Sequence, residues 1–206
     1  MTTGIKKILL SSLYLAPIEY YSALFNSERA IIEINDNYQK QTYRNRCVIA
    51  GANGPLTLSI PIEKSDKLKC KMRDIRIADH GNWRHLHWNA IISAYNSTPF
   101  FEYYEDDFRP FYEKKHIFLH DFNERLREVI CQLIGINTEI SYSEHFFENT
   151  PEDIIDLRES IHPKKSSNYK SRSYHQIFMH KHGFLNNLSI LDLLFNMGNE
   201  SRLNLY

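Results

Sequence analysis

The chain has 206 residues, with Lys plus Arg and Asp plus Glu balanced at 25 each, a length that suits a single domain burying roughly 70% of the surface its unfolded form exposes. Balanced charge removes the positive field that drives binding to nucleic-acid phosphates, so no nucleic-acid partner is expected. No run approaches the ~20 apolar residues that cross a bilayer, no secretory leader is read at the start, and the three cysteines, Cys47, Cys70 and Cys131, form no C-x-x-C pair, which suits a reduced, cytoplasmic protein.

In chain order, residues 8–10 read as a short buried strand, and Pro17 with Tyr20, Tyr21, Leu24 and Phe25 at helical spacing reads as the start of a helix. Residues 30–34 are β-branched, so the first 35 residues predict a βαβ-like unit. Two β-rich runs, 46–50 and 56–62, flank Gly51-Ala52-Asn53-Gly54 and predict a hairpin with Leu56, Leu58 and Ile60 on its buried face. Residues 74–78 read as a further strand, joined to the hairpin by a charged loop over 63–71. After Asn82, read as an N-cap, Trp83, His87, Ala90, Ile91 and Ala94 share a helical stripe. A helix from Phe100 is expected to break at Pro110, and the apolar face from Phe118 to Leu133 predicts a long helix ended by Gly135. A strand is expected over 138–141, and a short helix after Thr150-Pro151. Residues 162–173 read as an exposed basic loop, and Ser189 with Asp192 as the capping box of a final helix ended by Gly198. The fold class is α/β: the βαβ-like unit and hairpin form a small mixed sheet in residues 1–80, and a mainly helical part, 81–206, packs on it within one domain.

The 13 Tyr and 12 Phe favour pockets that mix apolar walls with hydrogen-bonding tips. In Tyr43-Arg44-Asn45-Arg46, two guanidinium groups and an amide stand at a strand entry, a composition that can clamp a phosphate or carboxylate. The same alternation could instead send one Arg to solvent and the other into a structural salt bridge. His87, on an apolar stripe, suits either a general base or a satisfied core histidine. His175, His180 and His182 lack supporting ligands at useful spacing, so no metal site is predicted. No dinucleotide, P-loop or serine-hydrolase motif is present, and no cofactor is identified.

Read together, Tyr14-Leu15, Tyr20-Tyr21, Tyr43-Arg44-Asn45-Arg46, Leu58-Ser59-Ile60-Pro61, Trp83 with His87, Ala94-Tyr95, Pro99-Phe100-Phe101, Phe184 and the stretch from Asn187 to Asn196 with Gly198 resemble the WbqC-like protein family. That family occurs in bacterial gene sets for surface polysaccharide. The chain departs from its pattern at Ser11-Ser12, where Gln-Pro is usual, and at Ala16 and Glu19, which replace Pro and Gly. The resemblance implies a cytoplasmic protein acting on amino-sugar or other polysaccharide precursors by group transfer. It adds Tyr14 and Tyr20 to the substrate-binding candidates. On this reading Tyr43, Arg44, Asn45 and Arg46 hold a small anionic or nucleotide-linked substrate, His87 is the base, and Tyr95 is a positioning donor. The alternative is a non-catalytic scaffold or partner-binding protein of a biosynthetic or secretion complex, presenting Phe100, Phe101, Tyr103, Tyr104 and Arg109.

Overall fold

A computed structural model describes residues 6–64 and 69–206, so the expected loop over 63–71 lies in part outside the described residues. The first apolar run forms β1 (Lys7–Ser11). Pro17, extended at φ −66°, precedes α1 (Ile18–Phe25), because proline needs no helical hydrogen bond at that point. β2 (Arg29–Glu33) returns parallel to β1, with Ile8 opposite Ala30 and Leu10 opposite Ile32, completing the βαβ unit.

The hairpin, β3 (Arg46–Gly51) and β4 (Gly54–Ser59), is antiparallel, with Arg46 opposite Ser59 and Gly51 opposite Gly54. Gly54 takes φ +108°, which only glycine adopts without strain. The hairpin is a separate two-stranded sheet and does not join β1 and β2 in a mixed sheet. Leu58 and Ile60 are buried, but Leu56 is 41% exposed on β4, although Ile49 opposite it on β3 is buried. Residues 74–78 form no strand. After a 3-10 turn at Met72–Asp74, the segment makes only isolated bridges, Ile77 with Ile62 and Arg76 with Phe118, while Ile75 and Ile77 still point inward.

Among the described residues five further helices follow α1, beginning with α2 (Trp83–Tyr95), α3 (Phe101–Glu113) and α4 (Leu119–Ile134). Asn82 gives no side-chain cap to α2; it is left-handed at φ +47°. Pro110 does not break α3. It lies in the last turn, where the carbonyl freed by its missing N–H is that of exposed Asp106 and water can take it. Leu119, Phe122, Leu126 and Ile130 bury the inner face of α4, and Gly135, at φ +78°, ends it with its N–H on the Cys131 carbonyl.

β5 (Glu139–Tyr142) pairs with β2, and β6 (Ile154–Asp156) with β1, both parallel. The helix expected after Pro151 is absent: Ile154 and Ile155, stiff at χ1, extend into the sheet instead. The four-stranded sheet has the order β5-β2-β1-β6. α5 (Met179–His182) and α6 (Ile190–Met197) close the chain. Ser189 caps α6 by accepting the Leu191 N–H, but Asp192 faces the core and takes no part in a capping box. Among the described residues no helix is long and apolar enough to cross a membrane.

Candidate functional site

Parallel pairing brings the carboxyl ends of all four strands to one edge. The residues there turn polar: Ser11 and Ser12 at β1, Glu33, Asn35 and Asp36 at β2, Ser143 after β5, and Asp156 and Arg158 at β6. Ligands of open parallel sheets bind outside this edge.

Arg44 reaches the edge from the segment before β3 and is 2% exposed. Its guanidinium pairs with Asp36 and donates to Ser11 Oγ at 3.1 Å, with the Glu159 carboxylate 4.0 Å away. Asn123 of α4 donates to the Arg44 carbonyl at 2.9 Å. Glu33, fully enclosed, accepts from Ser143 Oγ at 2.6 Å and from the Asn35 and Phe147 N–H groups, and it pairs with Arg158 at 3.3 Å. α4 adds its own layer. Ser12 Oγ donates to Glu124 Oε1 at 2.8 Å, Arg127 Nε donates to Glu124 Oε2 at 2.7 Å, and His120 Nδ1 lies 3.3 Å from Ser12 Oγ. Burial raises the Asp36 carboxyl, with Arg44 opposing, and burial lowers His120, with Glu124 opposing. Around this edge, Asn35 Oδ1, Asp36 Oδ1, Arg44 Nε and Asn123 Oδ1 are buried without a partner among the described residues, where buried polar atoms are ordinarily paired.

The candidates named from the sequence fall in three places. Tyr43, next to Arg44 in the chain, accepts the Tyr14 N–H on its carbonyl at 2.9 Å, and burial raises the Tyr43 phenol. Arg46 is half-buried, forms no ion pair among the described residues, and leaves its Nε unpartnered. It and Arg44 both act electrostatically on Tyr38, whose phenol burial raises. Asn45 is turned into the hairpin, where its Nδ2 donates to the Ile60 carbonyl at 2.8 Å. Tyr20 is enclosed near Glu124 and Arg127.

His87 stands elsewhere, 5% exposed, with Nδ1 3.0 Å from the Tyr14 hydroxyl, which in turn meets the Tyr112 hydroxyl at 2.9 Å. Trp83 lies edge-on to its ring, and burial holds the imidazole down to about 4. Tyr95 is at a third place. Its hydroxyl accepts the Ala50 N–H at 3.2 Å, beside a fully buried Asp192 that accepts from Tyr174 at 2.6 Å and Gln176 at 2.7 Å. Of the aromatic cluster on α3, only Tyr103 stands well clear, at 77% exposed; Phe101 is buried, Phe100 packs on Gly198, and Arg109 pairs with Glu105 one turn away. Sequence reasoning passed over His120, Glu124 and Arg127, whose spacing of four and three residues sets three titratable groups on one face of α4.

Fold and site define a small α/β protein whose charged side chains gather at the carboxyl edge of a parallel sheet. The chain belongs to the WbqC-like protein family, whose profile matches residues 12–168. It is 26% identical over 224 residues to the uncharacterized protein Rv1507c of Mycobacterium tuberculosis (strain ATCC 25618 / H37Rv), with 95% of each chain covered. No solved structure matches the chain.

Proposed function

We propose that this protein is a group transferase acting on a small anionic precursor of a polysaccharide or amino sugar, with its site at the carboxyl edge of the parallel sheet. The observation that carries the reading is the set of buried, incompletely paired polar atoms of Asn35, Asp36, Arg44 and Asn123 at that edge. Unpaired polar atoms in a low-dielectric setting are costly, and a polar ligand offsets that cost. Asp36 already offsets the charge of Arg44, so Arg46, which has no ion-pair partner among the described residues, supplies the net attraction for the anion. Family membership supports the precursor class.

The test is a thermal-shift screen of the whole chain against nucleotide sugars, acyl donors and coenzyme A. A ligand at 100 times its dissociation constant stabilises the fold by about 2.7 kcal/mol. One anionic class should raise Tm, and the shift should shrink in Arg46→Ala. If no class stabilises the protein, or if Arg46→Ala binds as tightly as the parent, the reading fails.

A further inference from the structure

α4 carries His120, Glu124 and Arg127 on the face that meets the end of β1. The hydrogen-bond order among them is constrained. Glu124 is a carboxylate fixed by Arg127, so it only accepts, and Ser12 has a single proton, which it gives to Glu124 Oε1 at 2.8 Å. Ser12 Oγ can then meet His120 Nδ1, 3.3 Å away, only as an acceptor. The ring hydrogen therefore sits on Nδ1, and Nε2 of the neutral imidazole carries a bare lone pair. Nε2 has no partner among the described residues, and the side chain is only partly enclosed. Tyr142 of β5 stands perpendicular to the ring at 5.4 Å and limits its rotation.

We propose that His120 is the general base of the site, locked by Ser12 in the tautomer that leaves Nε2 free to take a proton from an acceptor hydroxyl or amine. This rests on the group-transfer reading above. In the step, the acceptor's O–H or N–H bond breaks and its proton passes to Nε2. The freed electron pair bonds to the electrophilic atom of the anionic donor, and the donor's leaving group departs with the pair of the broken bond. The charges facing His120 are Glu124, Asp121 and Arg127 on its own helix, with the Tyr142 phenol opposite. Burial outweighs the acids and lowers its basicity, so the ring is neutral and competent near pH 7. Ser12 is a positioning residue.

Two measurements on the whole chain need no substrate. Nitrogen-15 NMR of the histidine rings, assigned with His120→Gln, should show a protonated Nδ1 and a bare Nε2 at His120, and Ser12→Ala should move the ring toward the Nε2-protonated form. Diethyl pyrocarbonate, which attacks bare imidazole nitrogen, should modify His120 at least as readily as exposed His145. An Nε2-protonated ring in the parent, no tautomer change in Ser12→Ala, or protection of His120 from the reagent would each overturn the assignment. With a donor from the thermal-shift screen, His120→Gln should lower kcat by about 10²–10⁴-fold and leave donor affinity unchanged. Unchanged kcat in that variant sinks the base assignment alone, whereas absence of any stabilising donor sinks the group-transfer reading.

Discussion

Replacing Asp36 by Ala removes the counter-charge of a guanidinium whose side chain is 3% exposed. What remains for Arg44 is one hydrogen bond to Ser11 Oγ and the Glu159 carboxylate at 4.0 Å. Glu159 is 56% exposed, so water screens it and it recovers at most about 1 kcal/mol. Breaking a buried pair from one side costs about 3–5 kcal/mol, because the other charge stays desolvated. Removing both charges is different: Asp36→Leu with Arg44→Met deletes both desolvation penalties and should fall within about 2 kcal/mol of the parent. Urea unfolding of the parent, Asp36→Leu, Arg44→Met and the double variant gives the cycle directly, with the slopes checking that the unfolded state is unchanged. A loss below about 1 kcal/mol in Asp36→Ala, or a double variant as damaged as the sum of the singles, would refute the view that these two charges stand in a dry environment.

His87 gives a pH dependence of known sign. Its folded pKa, about 4, lies below the unfolded value near 6.5, so its contribution is whole above pH 6.5 and lost as pH falls toward 4. The loss is on the order of 3 kcal/mol, and His87→Gln should flatten the curve in urea melts taken across that range. Asp192 has the opposite sign. Burial raises its carboxyl, so its contribution is whole below the ordinary carboxylate value and declines as pH climbs through the raised one. Asp192→Asn should therefore gain stability relative to the parent between pH 4.5 and 8, and equal ΔΔG at both ends would contradict this. In Gly198→Ala the new Cβ would lie 2.5 Å from the Phe100 ring at a backbone φ of +55°. Overpacking of that kind costs about 1–3 kcal/mol, with further loss from the left-handed backbone, and should appear as a clear drop in Tm.

Much of the architecture is legible wherever apolar periodicity is long. The stripe through Phe122, Leu126 and Ile130 predicts α4, a short apolar run predicts β1, and short β-rich runs predict β2 and the hairpin. β6 is not legible because its three residues follow a Thr-Pro pair that carries a helix-start signal, and only tertiary pairing with Lys7, Ile8 and Leu9 decides the matter. The separation of hairpin from sheet is a matter of long-range order that local pattern does not encode. At the site, Arg44 stands out by its charge beside a strand, but its partner Asp36 lies eight residues back in the same β2–β3 connection, and no periodic pattern links the two. His87 draws attention by its stripe, whereas His120 hides in a helix whose apolar face dominates the pattern. The polar edge exists only once four distant strand ends are side by side.

The strand order also governs how the protein is made. β1 is an interior strand, yet its second neighbour, β6, is supplied only after residues 154–156 emerge. Until then Ile8, Leu9 and Leu10 carry an open row of backbone donors and acceptors on a growing chain, the geometry that invites pairing with another copy. Pairing of such high sequence separation is slow. Fragments ending before Ile154 should accordingly collect as aggregates, and yield of the intact chain should improve when synthesis is slowed by cooling.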